Sequence, residues 1–386
     1  MTTERTTAQP LLDPSVDQTV IEQVAPASRQ RGTPGEVLLD VRDLVTSFHL
    51  REGSVKAVTG VSFSVRRGEI LGLVGESGCG KSVTSLSIMG LVAAPGVVEH
   101  GEVLFDGADL LKKSDEQMRT IRGDRIAMIF QQPTSSLNPV LRTGFQIGEV
   151  LEAHRGMNRK ASRERALELM RMVGIPDPKR RIDSYPFEMS GGMAQRVMIA
   201  MALACEPELL IADEPTTALD VTIQAQILDL MRRLQRETGT AIVLITHDLG
   251  VVAEMCDRVA VMYAGEIIEE TDTRTLFRHP FHPYTKGLIG SVPVLGQPVD
   301  ELSVIPGIVP NLINLPPGCR FAPRCNARTQ YDVDPATEVH PELLQVADNH
   351  TVRCWLYHTS DETPEWTPPL AAEAGAASST SGTTAA

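Results

Sequence analysis

The sequence is poor in aromatic residues, in basic charge and in long apolar runs. Only 4% of its 386 residues are aromatic, and 36 Lys and Arg stand against 49 Asp and Glu, a formal net charge of −13. Non-specific nucleic-acid binding needs a basic footprint, and base stacking needs aromatic side chains. The composition therefore argues against a nucleic-acid partner. The longest apolar runs, such as residues 197–205, fall well short of the ~20 residues that cross a bilayer.

Cysteine is scarce as well. Six cysteines in a chain of this length are too few for a disulfide scaffold. The N-terminal residues MTTERTTAQP lack the basic and then apolar segment of an export signal, so we expect a reduced, cytosolic protein. Residues 1–36 are rich in Thr, Gln and Pro, and residues 361–386 in Ala, Ser, Thr and Gly. We expect both ends to be disordered tails.

Between the tails, short apolar runs alternate with longer stretches of helical composition. This alternation is typical of an α/β protein with a largely parallel sheet. The clearest strand candidates are residues 70–74, 126–130, 209–212 and 241–246, and the clearest helix candidates are residues 81–91, 161–173, 193–205 and 222–237. Ligands of open α/β sheets bind at the carboxyl ends of the strands. The residues directly after these runs are therefore the candidate site.

The first strand is followed by G-E-S-G-C-G-K-S, a full match to the phosphate-binding pattern G-x-x-x-x-G-K-[ST]. Its glycines let backbone N–H groups surround phosphate oxygens, and the next helix directs its positive N-terminus at the anion. We expect Lys81 to reach the β- and γ-phosphates and Ser82 to coordinate Mg²⁺. The expected nucleotide contacts are Gly75, Ser77, Gly78, Cys79, Gly80, Lys81, Ser82 and Val83.

Three other predicted strands end in polar groups suited to phosphate chemistry. One ends in Asp213, which we expect to hold Mg²⁺, and in Glu214, which we expect to polarise the attacking water. Another is followed by Gln131 and the last by His247. At the same sheet edge, the Gln can contact Mg²⁺ and the water, and the His can hydrogen-bond the γ-phosphate.

A second helix start suited to an anion lies at Ser190, Gly191 and Gly192. Ser190 is a favourable N-cap, and the two glycines leave the first N–H groups of the helix accessible. The segment has no lysine, so it is not a second phosphate loop. A simple capped helix is one reading, and a site for the nucleotide of a neighbouring molecule is the other.

Taken together, these motifs resemble the ATP-binding subunit of an ABC transporter. In the order of that family the chain carries Walker A at 75–82, the Q-loop at Gln131, the signature at 190–193, Walker B at 209–213 with catalytic Glu214, the D-loop at 218–220 and the switch histidine at His247. The resemblance implies that nucleotide lies between the phosphate loop of one subunit and the signature helix of another. Asp220 and the signature residues would then face the partner's ATP.

The resemblance also implies the fold. We expect an ABC-type P-loop ATPase domain at residues 37–275, with a RecA-like core, an antiparallel β subdomain and a helical signature subdomain at about 132–200. An adenine-stacking aromatic is expected upstream of Walker A. Phe48 is the best candidate for it, and a packing role for this residue remains open.

Further motifs resemble the oligopeptide and dipeptide importers. They are M-I-F-Q-Q-P at 128–133, S-L-N-P at 136–139, G-G-M-A-Q-R-V-M at 191–198 and the Pro- and Cys-containing segment 305–325, which is similar to the C-terminal extension of that branch. We expect this extension at residues 276–360. Met193 stands where LSGGQ has Gln, while Gln132 and Ala194 depart from the branch, so altered coupling or tuning is expected.

This resemblance implies partners and a location. The chain would power peptide uptake beside a second, paralogous ATPase subunit, two membrane permease subunits and an extracytoplasmic solute-binding protein, at the cytoplasmic face of the membrane. The segment at about 133–151 would contact the permeases. The same motor serving a nickel chelate or haem, a soluble ABC ATPase acting on nucleic acid, and an ATP-binding module without turnover are the alternatives.

The resemblance finally raises a metal site, because the family's extension often carries four cysteines that resemble a [4Fe–4S] ligand set. Here the expected set is Cys319, Cys325 and Cys354, with Asp332 at the position of the missing cysteine. Zinc held by the same cysteines with Asp332 or His358, or buried thiols without metal, remain open.

Overall fold

The computed structural model describes residue 33 and residues 35–132, 136–216, 219–291 and 304–357. The predicted tail at 361–386, most of the predicted tail at 1–36, Ala218 and His358 lie outside the described residues. Within them the strands are β1 (Val37–Leu50), β2 (Gly53–Arg66), β3 (Ile70–Val74), β4 (Gly96–Phe105), β5 (Ala108–Asp109), β6 (Ile126–Ile129), β7 (Leu209–Asp213), β8 (Ala241–Thr246), β9 (Arg258–Tyr263), β10 (Glu266–Asp272), β11 (Leu344–Ala347) and β12 (His350–Val352).

The helices of the described residues complete the element list. They are α1 (Lys81–Ile88), α2 (Asp115–Ile121), α3 (Thr143–Arg155), α4 (Arg159–Met172), α5 (Pro178–Arg181), α6 (Gly191–Leu203), α7 (Val221–Thr238), α8 (Leu249–Met255), α9 (Thr273–Arg278), α10 (Pro283–Gly290) and α11 (Asn326–Gln330). The four predicted strands and four predicted helices are confirmed, with shifts at their ends. The first helix ends early, at Ile88, because Gly90 takes a left-handed conformation (φ 62). No helix among the described residues is long and apolar enough to cross a membrane.

The central sheet has eight strands in the order β11-β12-β10-β9-β3-β8-β7-β6. Strands β9, β3, β8, β7 and β6 run parallel, and β10, β12 and β11 continue the sheet with antiparallel pairs. The parallel strands β3, β6, β7 and β8 are buried along their whole length. Their largely apolar composition follows, because other layers of the fold cover both faces of these strands.

Two further layers pack on this sheet. An antiparallel sheet of order β2-β1-β4-β5 forms one apolar core with α1 and one face of the central sheet. Helices α3, α4 and α6 pack against one another over a second core, through Leu151, Leu169 and Val197 among others. The predicted α/β class, antiparallel β layer and helical segment are therefore present.

The predicted C-terminal extension is joined to the central sheet. Strand β12 pairs with β10, and β11 pairs with β12, so the extension adds a hairpin to the sheet edge. The fully buried carboxylate of Glu269 on β10 accepts hydrogen bonds from the N–H groups of Phe281 and His282 at 2.6 and 2.9 Å. It also contacts Nε2 of His350 on β12 at 2.8 Å. One buried side chain thus fixes two segments of the extension.

Candidate functional site

The phosphate loop connects β3 to α1, and two glycines fit it between neighbouring strands. A Cβ on Gly75 (φ 154) would lie 2.2 Å from the Met262 carbonyl oxygen. A Cβ on Gly80 (φ 107) would lie 2.3 Å from the Ala57 carbonyl oxygen. Only glycine fits both places, because each combines a left-handed φ with a backbone atom in close approach.

The remaining loop residues divide into exposed and buried ones. Ser77 and Gly78 are exposed at the tip of the loop, and Val83 is half-buried on α1. Cys79 is fully buried, and burial raises the pKa of its thiol. A neutral, buried thiol fits the interpretation of Cys79 as a loop filler.

Lys81 at the start of α1 is buried and lies across the loop. Its Nζ donates to the Gly75 carbonyl at 2.8 Å and to the Glu76 carbonyl at 2.9 Å. The positive charge is therefore held on the loop whose N–H groups are suited to phosphate.

Ser82 and Asp213 bring two oxygens together at the ends of different elements. The Ser82 hydroxyl donates to Oδ1 of Asp213 at 3.1 Å. Burial, with the nearby Glu214 charge in the same direction, raises the pKa of Asp213, against the lowering effect of the Ser82 hydrogen bond. A hydroxyl and a buried carboxylate are hard oxygen ligands, and a divalent cation beside them would offset the cost of burying that charge. The donor set therefore fits Mg²⁺.

Glu214 is the centre of the catalytic candidates. It has a left-handed conformation (φ 47), and its N–H donates to the Ile245 carbonyl of β8 at 2.9 Å. Its carboxylate accepts from Nε2 of Gln131 at 2.9 Å and lies 3.3 Å from Nδ1 of His247. Gln131 and His247, each chosen from sequence alone, thus both contact Glu214 at one sheet edge.

The signature segment begins α6, as the capping pattern predicts. The Ser190 hydroxyl accepts from the Met193 N–H at 3.3 Å, and Ser190 and Gly191 are exposed. Gly191 has no atom within 4 Å of a built Cβ, so the helix start is open to an incoming group. A Cβ placed on Gly192 would lie 3.6 Å from the Leu219 side chain. The open helix start fits an anion site, and its partner role stays a prediction.

Sequence reasoning missed how α6 is tied to the segment that carries Glu214. Gln195, one turn into the helix, is buried and donates through Nε2 to the Pro215 carbonyl at 2.7 Å. Pro215 follows Glu214 directly. The polar Gln within the buried apolar helix was the available signal for this link.

Two other predicted contacts have local roles in the structure. Asp220 caps α7, with its carboxylate accepting from the Ile223 N–H at 3.0 Å. Phe48 is half-buried on β1, and its ring lies over Gly96 of β4, 2.6 Å from where a Cβ would stand. The packing reading of Phe48 is therefore present, and stacking on adenine stays a prediction.

The predicted iron–sulfur site is wrong. Among the described residues no group of three or more His, Cys, Asp or Glu could hold a metal ion. Cys319, Cys325 and Cys354 line one cavity of about 20 Å³, and Asp332 is exposed and is not part of its lining. That volume is of the order of one water molecule, and burial raises the pKa of all three thiols, for Cys319 to about 12. Burial therefore favours the neutral form of these three thiols.

Sequence reasoning also missed three residues that meet at the phosphate loop. Glu76 belongs to the loop, while Tyr284 and Arg324 belong to the extension and contact Glu76 directly. The motifs H-P-Y and A-P-R-C were visible, but nothing in the sequence placed them near the loop.

Two family profiles match this chain. The ABC transporter profile matches residues 58–217. The profile of the oligopeptide/dipeptide transporter C-terminal region matches residues 268–331.

Curated relatives align with most of the chain. The dipeptide transport ATP-binding protein DppD of Bacillus subtilis (strain 168) is 53% identical over 83% of this chain and 95% of its own length. The oligopeptide transport ATP-binding protein OppD of the same strain is 51% identical over 87% of this chain and 93% of its own length. The dipeptide transport ATP-binding protein DppD of Haemophilus influenzae is 49% identical over 82% of this chain and 94% of its own length.

Solved structures agree on the fold. The ATP-binding cassette MJ0796, dimeric in a post-hydrolysis state with ADP and Pi, has a TM-score of 0.56 at 31% identity, covering 61% of this chain and 99% of that one. Part of the cbiONQ transporter complex, cbiO1 of Clostridium perfringens, has a TM-score of 0.53 at 27% identity, covering 63% and 92%. The predicted cassette fold is therefore confirmed.

Proposed function

Because this chain belongs to the ATP-binding proteins of ABC transporters, in the oligopeptide and dipeptide branch, we propose that it hydrolyses ATP to power peptide uptake through a membrane importer. One observation carries this proposal. Gln131 and His247 both contact the carboxylate of Glu214, at the sheet edge that also carries the phosphate loop. This arrangement supplies a base beside a phosphate site.

Residues 75–83 bind the phosphates of ATP in this proposal. Backbone N–H groups of the loop and the start of α1 surround the phosphate oxygens, and Lys81 moves its hydrogen bonds from loop carbonyls to the β- and γ-phosphates. Phe48 contacts the adenine. Binding energy thus orients the γ-phosphate before the chemical step.

Three oxygen-bearing side chains would hold Mg²⁺, namely Ser82, Asp213 and Gln131. When bound, the ion would supply positive charge that stabilises the negative charge on the transferred phosphoryl group. Asp213 at the end of β7 supplies the buried carboxylate, and Ser82 the hydroxyl next to Lys81. Both are fixed by secondary structure, so little reorganisation is needed.

Glu214 acts on the attacking water. Its carboxylate accepts a hydrogen bond from the water and orients it in line with the γ-phosphate. Gln131 and His247 hold this carboxylate from two sides, and His247 is exposed enough to reach a γ-phosphate oxygen. The left-handed backbone of Glu214 is a strained conformation of the kind found at functional sites.

The chain acts within a larger assembly. Ser190, Gly191, Gly192 and Asp220 face the nucleotide of a second, paralogous ATPase, so two subunits enclose each ATP. Two permease subunits receive the motion through the segment after Gln131, and a solute-binding protein delivers peptide outside the cell. The chain lies peripherally on the cytoplasmic face of the membrane. Residues 37–275 form its ATPase domain and residues 276–360 its extension.

The test replaces Glu214 with Gln in the assembled transporter. Glu214→Gln removes the group that orients water but keeps its size, so turnover falls by about 10²- to 10⁴-fold while ATP still binds. Steady-state phosphate release and equilibrium ATP binding measure the two effects. The matched control is Glu116→Gln, on the exposed start of α2, which keeps wild-type turnover. Wild-type turnover in Glu214→Gln would contradict the proposed role.

A further inference from the structure

The Glu76 side chain, in the phosphate loop, has no part in the proposed mechanism. Each polar group of this residue is nevertheless held. Its N–H donates to the Tyr284 hydroxyl at 2.8 Å, and its carbonyl accepts from Nζ of Lys81 at 2.9 Å. Its carboxylate accepts from Nη1 and Nη2 of Arg324 at 2.6 and 3.0 Å. Two of these three partners belong to the C-terminal extension.

Arg324 is itself fixed by the extension. Its side chain is 4% exposed, and its Nε donates to the Pro306 carbonyl at 2.8 Å. The guanidinium lies 5.8 Å from the ring centre of Tyr263 and 6.0 Å from that of Phe321. A planar guanidinium that is held on its Nε and paired bidentately cannot turn away from Glu76 without losing several contacts.

The negative charge of Glu76 matters because this residue lies in the phosphate loop. A carboxylate in a loop that surrounds phosphate repels the anion that the loop binds, and this repulsion is strong where water is partly excluded. The Glu76 side chain is 28% exposed, so solvent screens it only in part. Arg324 supplies the opposite charge, which cancels the repulsion and holds the carboxylate against the extension.

We propose that Arg324 is a positioning residue of the phosphate site, and that the docked extension, through the Arg324–Glu76 pair, sets the affinity of the ATPase for nucleotide. This rests on the proposed function, since it takes residues 75–83 as the phosphate site. The extension thereby acts on ATP binding itself. Release of Arg324 from Glu76 lowers the affinity for ATP, and docking restores it.

The experiment measures binding of MgATP to the full-length chain by calorimetry. Arg324→Gln leaves the Glu76 carboxylate unpaired, so ATP binds about 10-fold more weakly. Glu76→Gln leaves the Arg324 cation unpaired near the phosphates, so ATP binds about 3-fold more tightly. The double variant removes both charges and returns towards the wild-type affinity. ATP affinity that falls in one single variant and rises in the other indicates an electrostatic role.

Changing the salt concentration or the charge of the ligand gives a second test of the electrostatic role. The defect of Arg324→Gln shrinks when NaCl rises from about 0.05 to about 0.5 M, because screening weakens the repulsion from Glu76. Adenosine, which has no phosphate, binds the variant and the wild type alike. A loss of loop structure would instead persist at high salt.

The matched control is Arg353→Gln. Arg353 is also in the extension and also pairs with a carboxylate, Glu266 on β10, with 3.4 Å between Nε and Oε2. Arg353 makes no contact with the phosphate loop, so the ATP affinity of this variant stays within about 2-fold of the wild-type value.

The outcomes separate the two proposals. Weaker binding in both single variants with no recovery in the double, or unchanged binding in Arg324→Gln, overturns the role of Arg324. If Arg324→Gln does not fold, Glu76→Gln decides alone, since weaker ATP binding there contradicts the repulsion. Failure of the wild type to bind MgATP, or equal binding by Lys81→Ala, overturns the proposed function instead.

Discussion

At the scale of single residues, the shape of the phosphate loop depends on places where another backbone passes within contact distance. Gly75 and Gly80 lie against the carbonyl groups of Met262 and Ala57, which belong to β9 and β2. The loop is therefore clamped between both sheets of the ATPase. Any side chain at these positions must move a strand, since neither carbonyl can rotate away alone.

Gly80→Ala is expected to destabilise the chain by about 3 kcal/mol or more, through a left-handed Cβ penalty and overpacking against Ala57. Thermal unfolding without nucleotide measures this loss. Gly156→Ala is the control, because Gly156 is also left-handed (φ 62) but has nothing within 4 Å of a built Cβ. Its loss is about 1 kcal/mol. Equal losses in both variants would show that the Ala57 contact is unimportant.

What the sequence can predict at this scale depends on whether a regular element brings residues together. Gln131, Glu214 and His247 could be predicted because each follows an apolar strand, and parallel strands end at one edge. Glu76 and Arg324 could not, because an irregular segment carries Arg324 to the loop and has no pattern that fixes its path. The resemblance to the family's four-cysteine extension suggested Asp332 as a ligand, and in the structure its side chain is exposed to solvent.

At the scale of elements, α10 carries Tyr284, one of the two residues of the extension that contact the phosphate loop. His282 is its N-cap, with Nδ1 accepting from the Tyr284 N–H at 3.0 Å. That hydrogen bond requires a neutral ring, since a protonated Nδ1 cannot accept. Burial lowers the pKa of His282 from 6.5 to about 4, against the opposing charges of Glu269 and Glu266. The cap is therefore a neutral histidine that folding keeps from protonation.

The fold should lose stability in mild acid for this reason. The folded pKa of His282 is depressed, so its contribution is complete above pH 6.5 and is lost as the pH falls through about 4. The shift corresponds to a loss of about 3 kcal/mol between the two values. Urea unfolding at stepped pH measures it. His282→Asn, which can cap without titrating, should flatten the decline in this window; an unchanged slope would assign the acid sensitivity to other groups.

Some elements of the fold could be predicted from the sequence, and others could not. The buried strands and amphipathic helices could be predicted, because apolar period and length determine them. The hairpin of β11 and β12 could not be predicted. Its strands are short and partly polar, and they are stabilised by pairing with β10 and by the contact between His350 and Glu269.

At the scale of the whole molecule, the ATPase sheet and the extension share one edge. Strand β10 pairs with β9 on one side and with β12 on the other. The extension also covers the buried ring of Tyr263 with its own Tyr284, and the two ring centres lie 4.7 Å apart. Removing the extension would expose an unpaired strand edge and apolar surface, and both features promote aggregation.

A chain ending at residue 275 is therefore expected to aggregate rather than behave as a free ATPase. Size-exclusion chromatography and light scattering after expression measure this outcome. A chain ending at residue 357 keeps every described element and is the control. A monomeric, ATP-binding chain of residues 1–275 would contradict the dependence of the sheet on its added hairpin.

The contact between Arg324 and Glu76 also has a consequence in time. The two residues are 248 positions apart in the chain. Synthesis adds ~5–20 residues per second, so roughly 12 to 50 s pass between the phosphate loop and its arginine leaving the ribosome. On the proposal above, Glu76 repels nucleotide from any phosphate loop that forms before Arg324 has been made. A growing chain therefore competes poorly for cellular ATP until its extension has been made and has docked.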